Sequence, residues 1–514
     1  MQFLDRALHF DAIPGSLAAY RATADDAGMT DFADAVQQSG GRFVALWGSD
    51  ERDRQAGFAL HVAFGIAEGL AIVTLPMAAG NPEYPDLAEI FPAASRLQRA
   101  TYDLLGIRAR GGDRRPWLRH ANWPAEHFPL RRDSDAGLQF ETQHEEYAFI
   151  RVEGDGVHEI AVGPIHAGII EPGHFRFSIV GEKVLRLEQR LGWTHKGIEK
   201  RFEQISLKDG SRLAGRVSGD TTVAFSWAYC LAAESLSNCA PPPRALWLRA
   251  LWLERERIAN HLGDLGYLGN DAALSFGLSQ FLRLKEDWLR LSDKLFGHRY
   301  LMDRIVPGGV ACDLPPEGSA AILAECDAVE REVRIIKDIY DEHAGLQDRF
   351  LTTGRLDPAL ASRLSISGLA GRASSQTWDL RSQNAVAPYD QLEARITTHR
   401  NGDVAARVAV RFEEVFESLR LIRSIVAWLP AGELIASLPQ APDGAFAAGW
   451  IEGWRGDVLV ALEAGPDGSI RRCHCHDSST RTWPALEHAV MNNIVPDFPL
   501  INKSFNLSYS GQDL

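Results

Sequence analysis

The spacing of apolar and polar positions changes character along this chain, and each change marks a different kind of element. Near the N-terminus, runs at Arg42 to Trp47, Ala59 to Ala67 and Leu70 to Leu75 are apolar nearly throughout, as in strands packed against helices. A Leu/Ala-containing helix is predicted near Leu17 to Met29. Another opens at Pro92, with Leu97, Ala100, Tyr102 and Leu104 on its buried side. From Tyr147 to Leu187 apolar and polar residues alternate between glycines, which predicts a small sheet. From Trp193 to Leu429 the period becomes helical, in long amphipathic runs such as ALWLRALWLERERIANHL and AARVAVRFEEVFESLRLIRSIVAWL. A strand pair is expected around Asp457 to His476. The predicted class is α+β. An α/β module over residues 1–135 and a linker over 136–146 precede a helical bundle with a small edge sheet over 147–514.

The length of 514 residues fits several domains better than one core, and 45% hydrophobic with 24% charged residues is the balance of a globular protein. The stretch LHVAFGIAEGLAIVTLPMAA is apolar enough to raise the question of a membrane span. His61 and Glu68 interrupt it, and each would cost several kcal/mol at a bilayer centre, so two buried strands are expected instead. No charged segment followed by an apolar one and a small-residue cleavage site opens the sequence, so the expectation is a cytoplasmic protein without a secretory signal. The net charge of -14 and the lack of an evident basic patch argue against nucleic acid as a partner.

Six cysteines contain no Cys-x-x-Cys, so neither an iron–sulfur cluster nor a tetrathiolate metal site is supplied. CHCH, Cys473 to His476, has the right residue types for a metal. On a strand, however, its cysteines face one way and its histidines the other, so four ligands do not converge.

Four pieces carry the most specific information: GPIHAG (Gly163 to Gly168), EPGHFRF (Glu171 to Phe177), THKGIEK (Thr194 to Lys200) and RVSGDTTVAFSWAYCLAAE (Arg216 to Glu234). Together they resemble the large subunit of membrane-bound, energy-converting nickel–iron hydrogenases and the quinone-facing subunit of complex I. ERERIANHL, RYLMDRIVPGGVACDL, WDLR and PYDQLEARI extend that likeness along the bundle. In front, YPDLAEIFPAASRLQRATYDLLGI and NWPAEHFPLRRD resemble the small complex I subunit that packs beside the quinone-facing one, as though the two were fused.

The resemblance also shows what this chain lacks. The hydrogenase motif opens R-x-C-G-x-C, and here Arg216 is followed by Ser218 and Thr221 at the cysteine places, with Phe225 at that of a histidine. At the C-terminal end, where the family has D-P-C-x-x-C, DFPLIN places Pro499 and Asn502 at the second pair. Hydroxyl, amide and proline groups do not replace soft thiolates, so no metal is expected.

The complex I comparison implies that His174 reaches a quinone head group with Asp271 as its acidic partner, a pair able to pass a proton near neutral pH. The family's second head-group ligand, a tyrosine, falls at Gly219. His174 reads equally as a hydrogen-bonded turn histidine. Glu199 matches a proton-transferring glutamate of the hydrogenases, or is a helix-end ion pair. His166, Arg216, Asp220, Asp379 and Arg381 line the cavity on this reading, or the arginines and aspartates pair where helices cross.

The resemblance further implies that the cofactor is a 4Fe-4S cluster carried by an iron–sulfur small subunit, with none held by this chain alone and quinone as the acceptor it would take. Membrane-arm antiporter-like and anchor subunits complete the expected partners. They would hold this chain peripherally at the cytoplasmic face. Two functions follow: an oxidoreductase subunit of a complex I-like or hydrogenase-related membrane complex, or a catalytically silent coupling subunit of the same assembly. A divergent hydrogenase is the third and weakest reading.

Overall fold

The computed structural model describes residues 8–514 except 121, 136, 142–145 and 169. The N-terminal module is a five-stranded sheet of β1 (Asp11–Ala12), β2 (Ala19–Thr23), β3 (Arg42–Asp50), β4 (Phe58–Ile66) and β5 (Gly69–Met77), in the order β1-β2-β5-β4-β3. The apolar runs expected to be strands are β3, β4 and β5. They are apolar throughout because both faces of the sheet are buried. Along β4, Val62 and Phe64 pack with the helices Asp26–Gln38 and Ala94–Leu105, whereas Ala63 between them enters the core shared with the bundle. His61 is accommodated in β4 by hydrogen bonds to Ser49 (3.0 Å) and Thr74 (3.1 Å).

The helix expected near Leu17 to Met29 is corrected. Ala19–Thr23 is a strand pairing in parallel with β5, and the helix runs Asp26–Gln38, started by the Asp25 carboxylate, which accepts from the Gly28 N–H at 2.8 Å. Helix Ala94–Leu105 buries Leu97 and Leu104 as expected, with Ala100 and Tyr102 half-buried. A short parallel pair, β6 (Glu83–Pro85) and β7 (Arg108–Arg110), flanks it.

The second module begins with the antiparallel sheet β8 (Val157–Val162), β9 (His174–Val180) and β10 (Lys183–Arg190). The helical region follows, built on Thr222–Leu236, Pro243–Asp271, Ser275–Phe296, Gly318–Glu342 and Val404–Trp428, with a two-stranded clip of β11 (Ile305–Val306) and β12 (Gly309–Val310). Helix Thr222–Leu236 is buried at every position except Ser235, so it lacks the polar stripe of a surface helix.

The expected C-terminal strand pair is instead a three-stranded sheet, β13 (Phe446–Glu452), β14 (Asp457–Ala464) and β15 (Ile470–Asp477), lying against that helix. The approach is close. A Cβ at Gly449 would lie 1.9 Å from the Ala228 carbonyl oxygen, so only glycine fits. Among the described residues no helix is long and apolar enough to cross a membrane.

The two modules are joined by buried charge as well as by shared core. Asp457 of β14 receives Arg42 of β3 at 3.2 Å, and also Arg481, Ser367 and the Trp450 indole N–H at 2.8 Å. Arg472 of β15 donates to the Gly48 carbonyl of β3 at 3.0 Å.

Candidate functional site

The segment entering helix Thr222–Leu236 is organised by one carboxylate. Asp220 accepts from Ser218 Oγ (2.8 Å) and from both ends of the Arg455 guanidinium, Nη1 at 2.8 Å and Nη2 at 2.6 Å, while Arg455 Nη1 also reaches Thr221 Oγ1 at 3.1 Å. Arg455 comes from the turn between β13 and β14, a sequence distance that conceals the pairing. Burial works to raise the Asp220 pKa, but Arg455 and the two hydroxyls hold it well below the carboxylate range.

Ser218 Oγ also meets Ser508 Oγ at 2.9 Å, and Ser508 Oγ caps the last helix, Tyr509–Asp513, by accepting from the Gly511 N–H at 2.8 Å. This corrects the assignment of Pro499 and Asn502. They sit in helix Phe498–Phe505, where Pro499 serves the first turn. Asn506, at φ 45°, ends that helix and turns the chain so that Ser508 and Gly511 return to Ser218. Ser508 and Gly511 keep the Cys-x-x-Cys spacing with neither cysteine. A Cβ at Gly511 would lie 2.6 Å from Asp477 Oδ2 and 2.8 Å from Ser508 Oγ, so no thiol-bearing side chain fits without displacing them. The groups that converge here are hydroxyls, a carboxylate and a guanidinium already bonded to one another.

Arg216, expected to line the cavity, is partly exposed and paired with Asp303 at 2.6 Å and 2.7 Å. Asp379 and Arg381 pair with each other at 2.8 Å and 3.1 Å, inside a buried lattice in which Glu254 accepts from Tyr389 (2.6 Å), Ser418 (2.5 Å) and Arg381 (3.3 Å). Gly219 is exposed, and a Cβ placed there meets no atom within 4 Å.

Glu199 lies in the first turn of Ile198–Phe202, but its partners come from across the chain. His474 Nδ1 lies at 2.7 Å and Arg472 Nη1 at 3.0 Å from Oε1. Burial opposes ionisation, yet Arg472 and His474 outweigh it and hold the Glu199 pKa at about 2. The folded pKa is depressed, so its stabilisation is present above the unfolded value near 4.5 and is lost as pH falls toward 2. Glu199→Gln is expected to destabilise the protein by about 3 kcal/mol at pH 7, the difference from wild type closing as pH falls toward about 2, as read by urea titration across that range.

The same strand carries CHCH. Cys473 and Cys475 share a face with sulfurs 3.9 Å apart, and His474 points the other way, stacked 4.9 Å from Trp47 at 10°. Among the described residues no group of three or more His, Cys, Asp and Glu could hold a metal ion.

A cleft of about 430 Å³ lies between the N-terminal module and the β8–β10 sheet, lined by His120, Tyr147, Phe149, His174, Arg190 and Trp193. His174 opens β9 and commits Nδ1 to the Gly163 carbonyl oxygen at 3.1 Å, while His166 Nε2 bonds the Gly173 carbonyl at 2.8 Å, so the two histidines pin both ends of the intervening loop. The His174 Nε2 is sheltered from solvent and has no hydrogen-bond partner among the described residues. Burial, with Arg176 and His166 nearby, lowers the His174 pKa against the opposing Gly163 bond. The neutral ring assigned by the Nδ1–H donation leaves the Nε2 lone pair unsatisfied. His120 is held neutral more strongly, its pKa pushed down to about 3 by burial and Arg190.

The expected pairing of His174 with Asp271 is not formed. Asp271 ends helix Pro243–Asp271, where burial raises its pKa against Lys503 and Asn270, and the nitrogen of His174 that an aspartate would orient is taken by Gly163.

Comparison with known proteins matches two families to separate stretches of the chain. Residues 22–139 match the family "Respiratory-chain NADH dehydrogenase, 30 Kd subunit", and residues 271–443 match "Respiratory-chain NADH dehydrogenase, 49 Kd subunit". Formate hydrogenlyase subunit 5 of Escherichia coli (strain K12) is 30% identical over 485 residues, covering 93% of this chain and 85% of the relative. An NADH-quinone oxidoreductase subunit of Bacteroides thetaiotaomicron is 26% identical over 459 residues, covering 83% and 86%. Among solved structures, a chain of the membrane-bound sulfane sulfur reductase, an archaeal respiratory membrane complex, superposes with a TM-score of 0.66 at 22% identity, over 70% of this chain and 99% of that one.

Proposed function

We propose, from the premise that this chain belongs to the family of complex I 49 kDa-type and hydrogenase-type large subunits with a 30 kDa-type module fused ahead of it, that it forms an electron-transfer cavity together with an iron–sulfur small subunit. The chain is a soluble-arm subunit of a membrane respiratory complex. The cavity takes a quinone-like acceptor next to the partner's 4Fe-4S cluster, and its turnover is coupled to ion translocation by membrane-arm subunits. A nickel–iron centre does not fit, because Ser218, Thr221 and Ser508 offer hydroxyls where soft thiolates are needed and Gly511 offers no side-chain ligand at all.

The observation that carries this reading is the unsatisfied Nε2 of His174 at an aromatic cleft. A buried polar atom left unpaired costs about 1–3 kcal/mol, so a site that keeps one offers a bond to a ligand. Neutral, this nitrogen accepts a hydrogen bond from the hydroxyl of a reduced head group. Protonated, it donates to the carbonyl of the oxidised form. Tyr147, Phe149 and Trp193 supply flat apolar surface for a ring.

The chain assembled with its small subunit should bind a water-soluble benzoquinone with saturable quenching of tryptophan fluorescence, and Trp193→Phe should remove most of that signal. Quenching that stays linear in quinone concentration would refute the site. One observation favours the rival reading of a silent scaffold: Ser218 and Asp220, in the segment that carries thiolates in the hydrogenases, are bonded to Ser508 and Arg455 of the same chain.

A further inference from the structure

The chain is acidic overall, and no basic patch is evident along its sequence, yet the fold gathers four arginines around one small pocket on the N-terminal module. Arg99, Arg108, Arg114 and Arg115 line a pocket of about 90 Å³ with Tyr102, and Asp113 is the one carboxylate in its wall. Asp113 is already engaged by Arg115, at 2.6 Å to Nη2 and 3.0 Å to Nε, and lies 3.6 Å from Arg99 Nη1. Arg115 also reaches Glu188.

Two carboxylates, Asp113 and Glu188, face four guanidiniums, so positive charge is left over. Arg99 is 6% exposed, shares Asp113 with Arg115, and is fixed in direction by the Arg115 carbonyl (2.8 Å), the Pro116 carbonyl (3.1 Å) and Tyr147 Oη (2.7 Å). Arg108 donates to Tyr102 Oη at 2.6 Å and lies 4.5 Å over that ring, with no carboxylate partner among the described residues. Arg114 is exposed and makes no hydrogen bond or ion pair there.

We infer that this pocket binds a phosphate group, as a soluble phosphate or as the headgroup phosphate of an anionic lipid. A guanidinium presents paired donors that match tetrahedral oxyanions, and it loses less hydration than an ammonium on binding them. Arg99 and Arg108 arrive pre-oriented by neutral acceptors, so little side-chain entropy remains to be lost. Tyr102 Oη accepts from Arg108, which leaves its own proton free to donate to the same anion. The pocket has room for an oxyanion but not for a ring system, and it lies apart from His174. It adjoins the acceptor cleft through Tyr147, whose hydroxyl holds Arg99 and whose ring lines the cleft.

The test is calorimetric titration of the full chain, in its complex, with inorganic phosphate, alongside co-sedimentation with phosphatidylcholine vesicles with and without phosphatidylglycerol. Saturable phosphate binding without vesicle binding identifies a soluble ligand. Binding to phosphatidylglycerol vesicles that inorganic phosphate displaces identifies a lipid headgroup. In either case the double variant Arg108→Gln, Arg114→Gln should weaken binding about tenfold or more, because each charge-assisted contact is among the stronger hydrogen bonds. Both side chains stand at the pocket mouth outside the core, so the variant should fold, which its unfolding midpoint will show. Failure to bind either probe, or equal binding by the folded double variant, overturns the inference.

Discussion

An assembled complex carrying His174→Ala is expected to lose acceptor-dependent turnover by about 10²- to 10⁴-fold, the range for removal of a positioned proton-transfer group. The alanine removes the one polar side-chain atom in the cleft wall that is sheltered and unbonded among the described residues, and with it, on the proposed function, both the hydrogen bond to the acceptor and the proton exchanged on reduction. Asp271→Asn provides the contrast. Because Asp271 lies at a helix end toward Lys503 and has no bond to His174, the substitution should leave turnover near wild type, although the resemblance to complex I assigns it the orienting role. A coupling scaffold would respond differently: His174→Ala would cost only the Gly163 hydrogen bond, about 1 kcal/mol, with electron flow unaltered. Normal turnover by a fully assembled His174→Ala complex would therefore leave the scaffold as the better account.

The largest effect on stability is expected from Asp457→Asn. Asp457 is fully buried and receives Arg42, Arg481, Ser367 and Trp450, and its pKa is held far below the carboxylate range because Arg42 and Arg481 outweigh a large burial penalty. Asparagine preserves the shape and removes the charge, which strands two buried guanidiniums. Breaking a buried pair from one side costs about 3–5 kcal/mol. Against a typical total of about 5–15 kcal/mol this is a large share. Urea unfolding should show the lower midpoint, and hydrogen exchange should quicken first in β3, because Arg42 is the residue of that strand tied to Asp457. Unchanged exchange in β3 alongside a normal midpoint would contradict this account of how the modules are joined.

Elements with one strong periodicity were legible in the sequence. The apolar runs of β3 to β5 read as buried strands because their burial on both faces is written into every position, and the long helices read as helices because their period persists over many turns. β13 escaped notice because its meaning lies in the helix it packs on, which only the fold brings within contact of Gly449. Leu17 to Met29 misled because alanine-rich sequence suits a helix locally, and the pairing of β2 with β5 overrode that preference.

The candidate site divides along the same line. The opposed facing of cysteines and histidines in CHCH could be read from strand geometry alone, since alternation is local. The partners of Asp220, Glu199 and Ser218 are Arg455, His474 with Arg472, and Ser508, each more than 200 positions away, and no local pattern points to them. Ser508 and Gly511 had a detectable signal in their three-residue spacing, but DFPLIN offered a nearer match to the aspartate and proline of the motif, and both positions could not be right.

The seam between the modules bears on how such a complex is put together. Arg42 with Asp457, Arg472 with the Gly48 carbonyl and a core that takes alternate faces of one sheet bury charge and apolar surface together in the seam. Two separately translated subunits would have to find each other before those charges could be desolvated, at a rate set by their concentrations. A single polypeptide fixes their stoichiometry at one to one and makes the encounter intramolecular, so any partner subunit would meet a surface already complete on both sides of the cleft.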